Sequence, residues 1–462
     1  MIELLLLGLG LVAVAAVGVV LVEALVRRAE LGAGLLLGAT LLNAILVDKV
    51  PAVTLPGGIR VQLHDVAFAL VLAAGILRTL RMPRFAPVQR WVLLLCVMLL
   101  LSLVRGAAAF GPQHAIAEFR LFFAFVGGAL YFATFPPSAR LAGRVVQLWL
   151  ATSVPLMVLV CLRWLATFAG IDLGVPAEQF GADAAIKVLN GPYTFFLANA
   201  ALLTMPSWQL RDERARRLTR LGMLLLLFVV LLDRRTVWLT MIIGIAVLTV
   251  RGRQLRRRTV AIVVGTVLLT VAAFVALGGS SGEEPVTTSA TGTGTLDWRI
   301  QGWSELLEGL SNGPTQWLIG EPLGSGFSRE VQGSEVQAEP HNFYVTTLLR
   351  TGVVGLLALM ALSLGLLRAL WRTPPGRGDR MLTPGVFPAL LAMQAVWFLT
   401  WIPGTEQGII TGLAVGVVAA RGRGGAPVPQ LRPRSPAVAG GRPLRSRASE
   451  PDRLGESSKE AR

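Results

Sequence analysis

Apolar runs of membrane-span length recur along most of this chain, and no other feature constrains its fold as tightly. They fall near 3–26, 32–48, 64–80, 90–109, 115–135, 145–168, 188–207, 217–233, 235–250, 259–277, 342–371, 385–402 and 404–420. A bilayer core is crossed by about 20 apolar residues of helix. Only helices and closed barrels satisfy every backbone N–H and C=O in hydrocarbon. Spanning strands would need alternating polarity, and these runs are apolar all round. The expected fold is therefore an all-α polytopic membrane protein with about 12 or 13 transmembrane helices. The first 26 residues lack the basic start and the small-residue exit of a cleavable signal peptide, so they are expected to form the first span.

The formal net charge is +16. Nucleic acid is not the expected partner, because basic residues beside membrane helices report topology and anionic lipid. The clusters Arg211–Arg220 and Arg251–Arg258 belong on the cytoplasmic side, with two spans between them. Alternation then places Arg78–Arg90, Arg140–Arg144, Arg368–Arg380 and the C-terminal tail inside as well. The loop 278–340 and the turn Asp233-Arg234-Arg235 face outside. Eleven basic residues break the trend: Lys49, Arg60, Arg105, Arg120, Arg163, Lys187, Arg234, Arg235, Arg299, Arg329 and Arg350. A cation in or beside hydrocarbon needs a partner. Each of these can snorkel to headgroups or pair with Asp65, Glu118 or Asp183. As a set they form an outward cationic rim suited to a polyanion.

The chain divides into an N-terminal bundle (1–277), an outer loop (278–340), C-terminal spans (341–420) and a basic tail (421–462). Within the loop, 278–295 is small, polar and linker-like. Residues 296–310 read as a helix, with Asp297 suited to its N-terminus and Asn312-Gly313-Pro314 ending it. The tail is rich in Pro, Arg, Gly and Ser and is expected to be disordered. Cys96 and Cys161 fall inside spans and are expected to be buried thiols. The three histidines are too scattered for a metal cluster, and no cofactor motif is present: Gly320, Gly324 and Gly326 fit neither a dinucleotide fingerprint nor a phosphate loop. They fit a turn that lets backbones approach closely.

Chemistry concentrates between Leu296 and Gly355. His341 follows Pro340, a residue favoured at helix starts. It is expected in the first turn of the span beginning near Asn342, where free N–H groups make an anion site. That field favours a neutral imidazole able to accept a proton. An interfacial histidine bonded to loop backbone fits the spacing equally well. Asn342 adds a polar amide. Arg299 and Trp303 are four residues apart and share a helix face. Arg299 suits phosphate oxygens, and Trp303 suits a sugar ring, although Trp298 and Trp303 also fit membrane-interface anchors. Arg234 and Arg235 sit at a tight outer turn, where a solvated charge pair is the plainer account.

The pattern Asp297-x-Arg299-x3-Trp303, the Gly324-x-Gly326 turn, His341-Asn342-x-Tyr344 and Gly352-x2-Gly355 resembles the signature of the O-antigen ligase/polymerase superfamily. The Arg234-Arg235 turn before a Trp-bearing span resembles the family's outer-turn arginine, where Ser-Arg is more usual. Leu63-His64-Asp65 resembles an early family feature. The resemblance covers roughly residues 60–420 and is strongest over 296–355.

It implies a GT-C-like bundle with one large extracytoplasmic loop, in the cytoplasmic membrane, with the site facing outside and the C-terminus inside. It implies a metal-independent glycosyltransferase without a cofactor. The donor would be a glycan on undecaprenyl diphosphate. The acceptor would be another lipid-linked repeat for a polymerase, or a lipid or protein for a ligase. Polymerase is the preferred expectation. Arg299 with Arg235 or Arg234 would bind the diphosphate, and His341 would deprotonate the acceptor. Trp303, Asn342 and Arg120 are further candidate substrate-binding residues. A transporter or flippase of lipid-linked glycans is the alternative of another class; it would need the cations but not the base.

Overall fold

A backbone in hydrocarbon must satisfy its own hydrogen bonds, and this chain does so as helix after helix. The computed structural model describes residues 2–46, 51–54, 58–171, 188–210, 212–232, 234–252, 265, 294–310, 313–331, 334–372 and 385–422. In chain order the helices are α1 Ile2–Arg27, α2 Ala29–Leu46, α3 Leu63–Leu80, α4 Pro87–Phe110, α5 Pro112–Ala133, α6 Ala139–Phe168, α7 Gly191–Thr204, α8 Glu213–Leu231, α9 Arg235–Gly252, α10 Gly294–Gly309, α11 Pro314–Ile319, α12 Phe343–Trp371, α13 Val386–Trp397 and α14 Thr405–Gly422. Two short antiparallel hairpins accompany them: β1 Ala52–Thr54 with β2 Arg60–Gln62, and β3 Ser328–Val331 with β4 Ser334–Gln337.

Six described helices, α2 to α6 and α12, are long and apolar enough to cross a membrane. The fold is an all-α polytopic membrane protein. Helices also occupy the apolar runs of α1, α7, α8, α9, α13 and α14. At 14 and 12 residues, α7 and α13 are shorter than a full crossing. The run 259–277, apart from residue 265, lies outside the described residues. So do the linker 278–293 and the tail from 423.

Helices in lipid associate through close packing rather than through water exclusion, and small residues permit it. The α5–α14 contact is built that way. A Cβ on Gly128 would lie 3.2 Å from the Gly408 carbonyl carbon, and one on Gly412 would lie 2.7 Å from the Ala129 oxygen. At one end of this seam, Phe125, Phe343 and Phe398 meet edge to face, with ring centroids 4.8 to 5.6 Å apart. The Phe343 amide donates to the Phe398 carbonyl at 2.7 Å. The start of α12 is thereby fixed against α5 and the residue just after α13.

One buried-thiol expectation is corrected. Cys96 is half-buried, but Cys161 is exposed, on a stretch of α6 where Val158, Leu162 and Leu165 are exposed too. The run 342–371 is also not one straight helix. It kinks at Gly352, where φ is 64° and ψ is −169°. A side chain there would place its Cβ 2.3 Å from the Leu318 carbonyl, so glycine lets α11 seat directly on α12.

Candidate active site

Helix α10 carries Arg299 and Trp303 on one face. It begins at Gly294, three residues before Asp297, so Asp297 lies inside the helix and does not cap it. The Trp303 indole Nε1–H donates to the Pro340 carbonyl at 2.7 Å. This bond ties the Arg299 helix to the residue that precedes His341. Trp303 thus does positioning work, beyond the stacking or anchoring role its type suggests. The β3–β4 hairpin fills the space beside α10. Arg329 of β3 is buried, donates to the Phe327 carbonyl at 3.1 Å and to the Ala338 carbonyl, and lies over the Trp298 ring at 5.5 Å. Gly302 makes room for it: a Cβ there would lie 2.7 Å from the Arg329 Nε.

His341 is not in the first turn of α12. The helix starts at Phe343 and Asn342 is its N-cap, so His341 stands one residue further out. Its φ of 48° makes it a non-glycine residue in the left-handed region, a conformation that concentrates at functional turns. The Asn342 Oδ1 accepts from the Tyr344 and Val345 amides at 3.1 and 3.2 Å. The Thr346 amide donates to the Asn342 carbonyl, and the Phe343 amide to Phe398. All four first-turn N–H groups are therefore engaged, which leaves none for an anion. The anion-binding N-terminus expected from Pro340-His341 is not realised, because a buried asparagine caps it.

The His341 ring stacks on Trp401, with centroids 4.6 Å apart and an interplanar angle of 17°. Its Nδ1 is buried and has no partner among the described residues. Burial pushes its proton affinity below the ordinary histidine value. The Glu339 carboxylate opposes that shift, and the guanidiniums of Arg299 and Arg329 add to it. Burial and the two guanidiniums together favour the uncharged ring. Arg299 makes no hydrogen bond or ion pair among the described residues. Burial lowers its proton affinity, but a guanidinium keeps its charge at such sites. A half-buried arginine with unspent donors can take an oxyanion in a bidentate fork.

The structure brings the expected residues Arg299, Trp303 and His341 into one neighbourhood, and Asn342, expected as a polar amide, is the cap of α12. Arg120 is spent elsewhere: it pairs with Asp65 at 3.0 Å and donates to the Arg60 carbonyl. Arg234 donates to the Leu189 carbonyl at 3.0 Å, and Arg235 is exposed at the first residue of α9. Trp401, Arg329 and Glu339 were not singled out as site residues. Arg329 was visible only as one outer cation among eleven. Glu339 had the signal of lying two residues from His341, and Trp401 had none beyond its type.

The glycine turn between α11 and β3 holds this loop to the bundle. Arg350 of α12 is fully buried and pairs with Glu118 at 2.8 Å and Glu321 at 3.0 Å. It also donates to Ser325 Oγ at 2.7 Å and to the Gly326 carbonyl. Glu118 in turn accepts from the Gly324 and Gly326 amides at 2.9 and 2.6 Å. The positive φ of 98° at Gly324 lets its backbone close on the start of α5. Arg105 secures the same turn through the Gly320 carbonyl at 3.0 Å. Two of the outer cations are thus structural clamps. Among the described residues, no three His, Cys, Asp or Glu side chains gather as a metal set.

A multi-pass helical membrane protein with a histidine–arginine centre beside a clamped loop is the class that this architecture defines. Residues 221–360 match the family described as O-antigen ligase, a segment that contains Arg234, Arg235, Arg299, Trp303, His341 and Asn342. That match supports membership of the chain in the O-antigen ligase/polymerase superfamily. Members are ligases and polymerases, and membership implies a lipid-linked glycan and an acceptor as partners in general terms. No curated protein matches the chain.

Proposed function

We propose that the chain is a metal-independent glycosyltransferase of GT-C type. It transfers or polymerises glycan units carried on undecaprenyl diphosphate at the outer face of the cytoplasmic membrane. The observation that carries this is His341, held in a left-handed turn and stacked on Trp401, with the helix of Arg299 tied to the preceding residue by the Trp303 bond; among the described residues the Arg299 guanidinium has no hydrogen-bond or ion-pair partner. His341 accepts the proton of an acceptor hydroxyl as its oxygen attacks the anomeric carbon. The bond from that carbon to the diphosphate oxygen breaks. Arg299 stabilises the negative charge that develops on the leaving diphosphate, and the histidine later returns its proton to water. Arg234 and Arg235 extend the cationic rim.

The acceptor on this account is a second lipid-linked repeat. The family description favours a second reading, in which a lipid or protein receives the glycan. Purified protein given radiolabelled undecaprenyl-diphosphate oligosaccharide as both donor and acceptor separates the two. A ladder of lengthening products marks a polymerase. Transfer only after a lipid or protein acceptor is added marks a ligase. Donor bound but never transferred, with every acceptor supplied, would overturn the enzyme reading in favour of a transporter.

A further inference from the structure

A cleft of about 430 Å³ opens between the outer end of α5, the glycine turn and the β3–β4 hairpin. That volume lies within the range of small-molecule sites, roughly 300–1,000 Å³. Leu121 and Phe327 give it apolar walls, and Ser328, Gln337 and Glu339 give it hydrogen-bonding groups. Ser328 and Gln337 are cross-strand partners at the open end of the hairpin, so the strand register delivers both to the same wall. Glu118 also lines the cleft, but its charge is met by Arg350. Glu339 is different: it makes no hydrogen bond or ion pair among the described residues.

Among the described residues no cation lines this space, while two carboxylates do, which suits a neutral ligand better than a diphosphate. A neutral polyhydroxylated ring fits its chemistry: C–H faces against Leu121 and Phe327, hydroxyls donating to Glu339 and to the oxygens of Ser328 and Gln337, whose own donors are given to Glu335 at 2.8 and 3.0 Å. Glu339 is also close enough to His341 for its charge to act on the imidazole. Glu339 lies two residues before His341 in the chain, so a ring seated here would place a hydroxyl at a residue adjoining the turn that carries the base.

We propose that this cleft is the subsite for the acceptor sugar, with Glu339 holding the hydroxyl end of the ring next to His341. The inference rests on the glycosyl-transfer reading and names where its second substrate binds.

The test uses the oligosaccharide released by mild acid from the lipid-linked glycan of the producing cells, which carries neither lipid nor diphosphate. Its binding to the full chain in detergent is followed by saturation-transfer difference NMR, and donor binding is followed separately. Ser328→Trp should fill the cleft and weaken oligosaccharide binding by roughly tenfold or more. Glu339→Gln should weaken it by a smaller factor. Neither should change donor affinity, and Thr315→Trp, on exposed α11, should change nothing. Wild-type protein that does not bind the oligosaccharide, or Ser328→Trp protein that binds it as well as wild type, would overturn the subsite. Should Ser328→Trp fail to give folded protein, Glu339→Gln decides by the same criterion. Binding needs no turnover, so cleft-sensitive binding in a protein that never transfers glycan would retain the subsite and reject the enzyme reading.

Discussion

The Trp303 indole donates a 2.7 Å hydrogen bond to the carbonyl of Pro340, and so the helix that carries Arg299 is pinned to the turn that carries His341. The two reactive side chains come from separate segments of the chain. Their separation is set by this bond and by the stack of His341 on Trp401.

Trp303→Phe keeps the ring and removes the donor. One neutral hydrogen bond contributes about 1 kcal/mol to stability, so the protein should remain folded. Misplacing reacting groups by about 1 Å can cost roughly a hundredfold in rate. The expected outcome is a fall in kcat of about ten- to a hundredfold with donor affinity nearly unchanged. Steady-state kinetics beside a direct donor-binding assay would show it, and an unaltered kcat would remove the positioning role.

The pH dependence of transfer should carry the signs of the charges around His341. The base must be neutral, so the rate falls as pH drops through the folded pKa of His341, which lies below the ordinary value of about 6.5. Arg299 lowers that pKa and Glu339 raises it. At saturating donor, Arg299→Gln should move the acid limb of the kcat profile to higher pH. Glu339→Gln should move it to lower pH. Two limbs that stay in place, or that move the same way, would identify a different titrating group.

Arg350 is fully buried between Glu118 and Glu321. Removing one partner from a buried ion-pair network leaves carboxylates uncompensated and costs about 3–5 kcal/mol. Arg350→Ala should therefore lower the thermal midpoint in detergent markedly and loosen the glycine turn. Arg60→Ala, at an exposed side chain, should have little effect. A midpoint for Arg350→Ala equal to that of the wild type would contradict the clamp.

The helical membrane fold was legible because hydrocarbon imposes one rule on every residue: apolar runs of span length must be helix. The neighbourhood of His341, Arg299 and Trp303 was legible from their order and spacing around the glycine turn. What the sequence did not disclose depends on contacts between distant segments. The His341 backbone sits at φ 48° because Asn342, and not Pro340, sets the helix start. Arg105 and Arg350 read as members of an outer cationic set that could pair with Asp65, Glu118 or Asp183; Glu118 takes Arg350, and the backbone of the turn takes Arg105. Arg120 was open to both a substrate and Asp65, and in the fold it is the Asp65 carboxylate that holds it. A charge pattern places cations near a face of the membrane, and it cannot tell which of them is already paired.

The central claim is that His341 removes the acceptor proton while Arg299 holds the leaving diphosphate. The most direct measurement compares donor binding and glycan transfer in wild-type and His341→Ala protein, both purified and shown to be monodisperse. Loss of a general base costs roughly 10²–10⁴ in rate. The account predicts that transfer by the variant drops by at least the lower of those factors while donor affinity stays close to wild type. A His341→Ala protein that transfers glycan at the wild-type rate would contradict it.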